Sequence, residues 1–209
     1  MYCLRFITFF YSLFLGSLVI AQQGDKANEK DIISSLNWKK WSPDVVPVFS
    51  AEESLKQFKV APGFRVELVA SEPMIKDPVF VDWDDQGRMW VGELRTYMRD
   101  LDGTGENERM SRVMVLEDTD KDGVMDKATP FVDDMINVRC IAFVDDGVLV
   151  VESGALWLCK DKDGDLRCDD REKLIDFATA AHSNIEHAEN ALHFALDNWM
   201  YNSKSSRKL

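Results

Sequence analysis

One pattern of four aspartates occurs twice in this chain, and the two copies are 43 residues apart. The first copy reads Asp118-Thr-Asp120-Lys-Asp122-Gly-Val-Met-Asp126 and the second reads Asp161-Lys-Asp163-Gly-Asp165-Leu-Arg-Cys-Asp169. The residues that follow also recur, because Phe131-Val-Asp133 matches Leu174-Ile-Asp176 at the same offset. A chance cluster of acids would not carry its flanks with it. A repeat of about 40 to 45 residues filled with short strands is typical of propeller blades with four strands each.

The residues between the repeated motifs alternate between apolar and polar, as half-buried strands do. Strand pairs are predicted at 79–83 with 89–91, within 143–151 and within 194–201, each around a turn. Single strands are predicted at 64–70, 112–116 and 156–158, so a strand leads into each aspartate motif. Upstream, Ser50 and Glu53 have the spacing of a capping box and predict a short helix that ends before Pro62-Gly63.

The sequence therefore predicts an all-β fold. We expect a partial β-propeller of about the first two to three blades over residues 50–209, preceded by a signal peptide and a short helix. Residues 22–49 are polar, of mixed charge and without a sustained period, and they are interpreted as a linker.

The amino terminus predicts export. Arg5 is followed by an uncharged run from Phe6 to Ile20, and Ala21 precedes a polar stretch, as at a signal-peptide cleavage site. The alternative is an uncleaved membrane anchor. Cleavage would leave 188 of the 209 residues, too few for a ring of about six blades, so we expect the natural chain to continue. The expected location is periplasmic or extracellular.

The charge balance excludes one class of partner. The chain has 37 acidic and 25 basic residues and a formal net charge of -12, which is unsuited to binding nucleic acid. Much of the acidic excess lies in the two aspartate motifs, where a bound cation would offset the repulsion between carboxylates.

Both aspartate motifs have the chemistry of calcium loops, because short acids at alternate positions of a tight turn converge their oxygens. The candidate metal ligands are Asp118, Asp120, Asp122, Asp126, Asp161, Asp163, Asp165 and Asp169. An EF-hand is rejected, since the flanking sequences resemble strands and Leu166 stands where the loop glycine belongs. A solvated acidic turn without an ion is the alternative. If ions bind, we expect them to hold loops in place.

Two further groups of residues are candidates for a substrate site. His187 lies among polar residues, and a neighbouring carboxylate such as Glu186 or Glu189 could orient it as a general base. The other interpretation is a connecting loop. Arg95 and Tyr97 follow a predicted strand and could line a pocket with Glu93, or the three could pair with each other.

Three cysteines remain after the signal segment, namely Cys140, Cys159 and Cys168. The last two flank the second aspartate motif, and they could form a disulfide in an oxidising compartment or be small strand residues. The sequence has no Cys-x-x-Cys-His motif for attachment of a c-type haem.

From about Ser50 onward the chain resembles a bacterial family of membrane-bound dehydrogenase domains. These are β-propellers similar to the soluble glucose/sorbosone dehydrogenases that use pyrroloquinoline quinone. The resemblance rests on the ordered series Pro62-Gly-Phe-Arg-Val-Glu-Leu-Val-Ala-Ser-Glu-Pro73, Asp77-Pro78, Gly87-Arg-Met-Trp-Val-Gly-Glu93 with Tyr97, Leu116-Glu-Asp-Thr-Asp-Lys-Asp-Gly123, Asn184 through His187 to Asn190, and Asp197-Asn-Trp-Met-Tyr201.

The resemblance implies oxidation of a sugar or another alcohol, with the quinone accepting hydride and calcium near it polarising a carbonyl. It makes His187 the base and places Arg95, Tyr97 and Asn190 in the pocket lining. It also implies a cytochrome c electron acceptor elsewhere in the full-length protein. The alternative from a different class is a non-catalytic propeller that binds a glycan or a protein.

Overall fold

The computed structural model describes residues 48–100, 102–177 and 189–203. The predicted signal peptide, nearly all of the predicted linker, and His187 lie outside these residues. Contacts divide the chain into the units Met1–Val48 and Phe49–Leu209, and every element below belongs to the second unit. Among the described residues there is no helix with the length and apolar character needed to cross a membrane.

The fold is mostly antiparallel β-sheet. A short helix α1 (Ala51–Leu55) comes first. Ten strands follow: β1 (Pro78–Trp83), β2 (Met89–Glu93), β3 (Ser111–Glu117), β4 (Lys127–Met135), β5 (Cys140–Val144), β6 (Gly147–Glu152), β7 (Ala155–Lys160), β8 (Asp170–Asp176), β9 (Asn190–Phe194) and β10 (Met200–Ser203). The all-β prediction is confirmed.

Helix α1 begins where the capping box predicts. The Glu53 amide donates to Ser50 Oγ at 3.2 Å, and the Ser50 amide donates to Glu53 Oε2 at 2.9 Å. These reciprocal bonds satisfy two of the amides that a helix start leaves without partners. The helix is shorter than its apolar spacing suggests, because Phe58 is exposed and gains nothing from packing.

The strands form two four-stranded sheets, β1-β2-β3-β4 and β5-β6-β7-β8, and a separate hairpin β9-β10. Within each sheet neighbours in sequence are neighbours in space, so each sheet is an up-and-down meander. One predicted strand is wrong: residues 64–70 form no strand. That segment runs over the first sheet, and the Val69 carbonyl accepts a hydrogen bond from the Met125 amide at 2.8 Å.

The two sheets share one hydrophobic core. Trp90 from β2 contacts Phe131 at 4.8 Å and Phe143 at 5.3 Å between ring centroids, both edge to face, and Phe143 belongs to the second sheet. Alternate residues of β3 face opposite ways: Val113 and Val115 enter this core, while Met114 and Leu116 lie under the segment 70–75. The central strands of the first sheet are therefore buried on both faces.

The meander topology gives each sheet two different ends. Residues 84–88, 118–126, 145–146 and 161–169 form what we call the turn end, and residues 94–100, 102–110, 136–139 and 153–154 form the loop end. Both aspartate motifs lie at the turn end, as the β3–β4 and β7–β8 connections. The strands on either side of them confirm that neither is an EF-hand.

Candidate metal centres

The first aspartate motif is a turn wrapped around the carboxylate of Asp118. This side chain accepts hydrogen bonds from the amides of Lys121 at 2.7 Å, Asp122 at 3.2 Å and Gly123 at 2.8 Å. Lys121 and Gly123 have φ values of 64° and 93°, which turn their amides towards the carboxylate. The Gly123 amide is the main reason that the pKa of Asp118 lies below its ordinary value.

The second motif repeats this arrangement at the same offset. Asp161 accepts from the amides of Gly164 at 2.8 Å and Leu166 at 2.9 Å, and these residues have φ values of 84° and 66°. Both turns thus require a left-handed backbone at their fourth and sixth positions. Glycine occupies the sixth position in the first turn and the fourth in the second. The leucine that sequence reasoning took as a departure from the loop pattern adopts the conformation the turn requires.

Three carboxylates in each turn offer oxygens to one point. Ligand atoms of Asp118, Asp120 and Asp126 lie within 4.8 Å of one another, and so do those of Asp161, Asp163 and Asp169. Calcium is bound by oxygens at about 2.3 to 2.6 Å, so such spacing suits one ion per turn, with further ligands from backbone carbonyls or water. The first aspartate of each set is half-buried and the other two are exposed.

The fifth position of each turn does not join these sets. Asp122 accepts from the Val124 amide at 2.8 Å, and Asp165 accepts from the Arg167 amide at 2.9 Å. Each of these side chains accepts a hydrogen bond from the backbone amide two residues later, which is a common arrangement for aspartate in turns. The sequence correctly predicts the first, third and ninth positions as convergent, while Asp122 and Asp165 lie outside the convergent sets.

The ninth aspartates also hold the second residue of their turns. Asp126 Oδ2 accepts from the Thr119 hydroxyl at 2.7 Å, and Asp169 Oδ2 accepts from the Lys162 amide at 2.7 Å. Each turn is therefore closed by a hydrogen bond between its ninth aspartate and its second residue.

A cleft of about 1060 Å³ opens between the two sheets at the turn end. Its floor includes Trp90, Phe131 and Cys159, and Asp161 of the second motif lies in its lining. Asp84 also lines the cleft, but its carboxylate is paired within the protein, because it accepts from Trp90 Nε1 at 2.9 Å and lies 2.6 Å from Arg88 Nε.

The loop end carries a buried acid, Glu93, for which the sequence allowed either a place in a pocket or pairing with its neighbours. Glu93 is fully buried, accepts from the Lys76 amide at 2.8 Å and lies 2.6 Å from Arg112 Nε. Arg95 Nε lies 3.8 Å from the same carboxylate. Of the two interpretations of this group, pairing is therefore observed for Glu93 and Arg95, and Tyr97 is half-buried beside them in sequence.

Glu152 is the counterpart of Glu93 in the second sheet, and sequence reasoning missed it. It is 3% exposed and accepts from the Ile136 amide and from Trp157 Nε1, both at 2.7 Å. Each of these glutamates ends the second strand of its sheet and ties it to the chain just before the first strand. An acid directly after an apolar strand, in both repeats, is the signal that could have revealed the pair.

The remaining predicted site residues fall in different places. Asn190 is the first residue of β9 and is exposed, and its side chain accepts from the Ala191 amide at 2.8 Å. Leu192 of β9 packs in the same hydrophobic cluster as Cys140, the first residue of β5, which puts β9 beside the loop end of the second sheet. His187 lies outside the described residues.

The three cysteines among the described residues, Cys140, Cys159 and Cys168, are free thiols. Cys159 is buried, and Cys168 packs against the hydrophobic cluster that contains it, so the two that flank the second motif lie close together as separate thiols. Cys140 stands apart, and burial raises its pKa to about 12.

Comparison with known proteins places the chain by family. A family model described as "Domain of unknown function (DUF7133)" matches residues 50–208. The chain belongs to this family. No curated protein and no solved structure gives a significant match. The DUF7133 match covers both sheets, the β9-β10 hairpin and both aspartate motifs.

Proposed function

We propose that this DUF7133 chain forms part of an exported β-propeller whose two aspartate turns bind calcium structurally. The propeller is supported by three successive antiparallel units: two meanders and a hairpin that repeats their first turn. In that hairpin Asp197 accepts from Tyr201 Oη at 2.6 Å, much as Asp84 accepts from Trp90 Nε1. An aromatic at the second position of the second strand thus bonds to the turn aspartate in the first and third units.

The convergence of three carboxylates in each turn is the single observation that carries the calcium proposal. Uncompensated, these acids repel one another, and a divalent cation would turn that repulsion into attraction. Because both turns join strands of a sheet, an ion there would hold the β3–β4 and β7–β8 connections closed and would not take part in chemistry.

Calorimetric titration of the 209-residue chain with calcium tests this proposal. We expect two bound ions, one in Asp120→Asn, one in Asp163→Asn and none in the double variant. These third-position acids are chosen because they contribute less than Asp118 and Asp161 to the turn's own hydrogen bonds. The matched control is Asp133→Asn, an exposed aspartate in β4 outside both turns, which should retain both ions. A folded chain that binds no calcium refutes the proposal.

For the whole protein we propose a quinoprotein-like dehydrogenase acting on a sugar or another alcohol, as the family resemblance implies. The donors at the loop end suit an anionic cofactor: Arg112 holds Glu93 closely, while Arg95 lies farther from it and could turn its guanidinium to a carboxylate. Arg95, Tyr97 and Asn190 would line the pocket, and His187 would accept the substrate's hydroxyl proton. Bound pyrroloquinoline quinone would supply the hydride acceptor, and a cytochrome c could then take the electrons.

Dye-linked oxidation of a sugar and alcohol panel by the full-length protein, with added quinone and calcium, tests the dehydrogenase. Wild-type turnover should fall strongly in His187→Ala, and Asp133→Asn should be unaffected. Absence of turnover from a folded, quinone-loaded protein would refute it.

A second candidate is a non-catalytic propeller that binds a glycan or a protein through its loop end. One observation favours it: hydrogen bonds tie Thr96 and Glu106 of the long β2–β3 connection to Asn137, which follows β4. Buried Asn137 donates to the Glu106 carbonyl at 2.7 Å, and buried Thr96 donates to Asn137 Oδ1 at 3.2 Å. A preformed loop lowers the entropy cost of binding. Glycan-array binding by a protein that is inactive in the oxidation assay would support this candidate. Loss of glycan binding in Asn137→Ala would locate the binding surface at the loop end.

A further inference from the structure

We propose that Cys159 and Cys168 are an oxidation site: they form a disulfide that joins the end of β7 to the eighth residue of the second aspartate turn. Cys159 is the second-last residue of β7 and Cys168 is the eighth residue of the turn. In the thiol form Cys168 packs against the hydrophobic cluster that contains Cys159. The bond would close a ring over residues 159–168.

The first turn provides an internal comparison for this geometry. Its equivalent positions, 43 residues earlier, hold Leu116 and Met125, which belong to one hydrophobic cluster. The eighth residue is anchored alike in both turns: the Met125 amide donates to the Val69 carbonyl at 2.8 Å, and the Cys168 amide donates to the Phe131 carbonyl at 2.7 Å. Both turns thus bring these two positions into one hydrophobic cluster, and only the second turn places sulfur at both.

The exposures of the two thiols set the order of the chemistry. Cys168 is half-buried and Cys159 is 0% exposed, so an outside oxidant reaches Cys168 first. The Cys168 sulfur attacks an external disulfide, such as glutathione disulfide or a disulfide of a thiol oxidase, and releases one thiol. The Cys159 sulfur then attacks Cys168 and releases the second thiol. In total the two cysteines lose two electrons and two protons, and the external disulfide is reduced to two thiols.

The disulfide has a consequence for the metal centre, and this part rests on the proposed calcium function. Asp161 and Asp163 lie inside the ring, and Asp169 directly follows Cys168. The Cys159–Cys168 disulfide would hold these three ligands together before the ion binds, and such preorganisation raises the affinity for calcium. We expect calcium to bind about 5-fold or more tightly after oxidation, within the usual range of coupling between sites. Linkage requires calcium to favour the disulfide by the same factor.

The oxidation site is tested by equilibrating the 209-residue chain in a glutathione redox buffer, unfolding it, alkylating the remaining thiols and mapping peptides by mass spectrometry. We expect a Cys159–Cys168 linked peptide and alkylated Cys140. The control Cys140→Ser should give the same link, and Cys159→Ser should leave Cys168 joined to glutathione. Moving the pair to the first turn, as Leu116→Cys/Met125→Cys in a Cys159→Ser/Cys168→Ser background, should create the equivalent link. Alkylation of both Cys159 and Cys168 in the oxidised wild-type chain, or a link from either to Cys140, overturns the proposal.

The calcium consequence is measured in Asp120→Asn, where only the second turn should bind. Affinity is compared between the oxidised chain and the chain reduced with dithiothreitol. A mapped disulfide without calcium binding in either state leaves the oxidation site standing and refutes the calcium function. Calcium binding without a disulfide refutes the oxidation site alone, and equal affinities in the two states refute the coupling.

Discussion

Substitution by glycine should change stability in opposite directions at two left-handed positions of the aspartate turns. Lys121 has a φ of 64° and is exposed, whereas Leu166 has a φ of 66° and is 9% exposed within the core shared by the two sheets. A non-glycine residue pays about 1 to 2 kcal/mol for this backbone conformation. Only at Leu166 is that cost offset by burial.

The magnitudes follow from these two environments. Lys121→Gly removes the strain but adds about 0.5 to 1 kcal/mol of entropy to the unfolded chain, so we expect a gain of up to about 1 kcal/mol. Leu166→Gly gains the same relief but loses a buried leucine, for which truncation to alanine costs about 2 to 5 kcal/mol. The expected net loss is about 1 to 5 kcal/mol.

The assay is urea unfolding followed by tryptophan fluorescence, since Trp90 is buried in the same cluster as Leu166. Gly123→Ala and Gly164→Ala are the controls: no atom lies within 4 Å of an added Cβ, so each should lose up to about 1 kcal/mol, the reverse of the Lys121→Gly change. A loss at Lys121 or a gain at Leu166 would show that the turns do not require two left-handed residues.

Three further outcomes are expected. Glu93→Gln should destabilise the chain by about 2 to 4 kcal/mol, because it leaves a mostly buried Arg112 without its counter-charge. The control Glu67→Gln removes an exposed ion pair with the same 2.6 Å separation and should cost under about 1 kcal/mol. Equal urea midpoints for the two variants would contradict this. The pKa of Asp118, measured by NMR titration, should lie below the ordinary aspartate value of about 3.9, because the Gly123 amide favours the charged carboxylate. The stability that this carboxylate contributes is present above the ordinary pKa and is lost as the pH falls through the lower folded pKa. A measured pKa at or above the ordinary value would be evidence against the turn. Cys140, whose pKa burial raises to about 12, should resist iodoacetamide at neutral pH until the chain unfolds, and rapid labelling of the folded chain would argue against the burial.

Much of the fold was predictable because its signals are local. Alternating apolar residues on either side of Asp84 and Asp145 predict hairpins, and the structure has them as β1-β2 and β5-β6. The same alternation misled at Phe64 and Val66, which are exposed and form no strand. Alternation reports that a chain is extended and two-sided, and pairing also needs a neighbouring strand with free hydrogen-bonding groups.

The sequence by itself determined the repeated aspartate turn and its place between strands, because these signals lie within one short stretch of chain. It predicted four convergent acids in each turn, whereas in the folded turns Asp122 and Asp165 lie outside the convergent sets. Only the tertiary structure decided which acids are buried and which thiols meet. Glu93 finds Lys76 and Arg112 across strands, and Cys168 reaches Cys159 because its amide is anchored on the neighbouring sheet. Such contacts depend on how separate segments pack, and local spacing does not encode that packing.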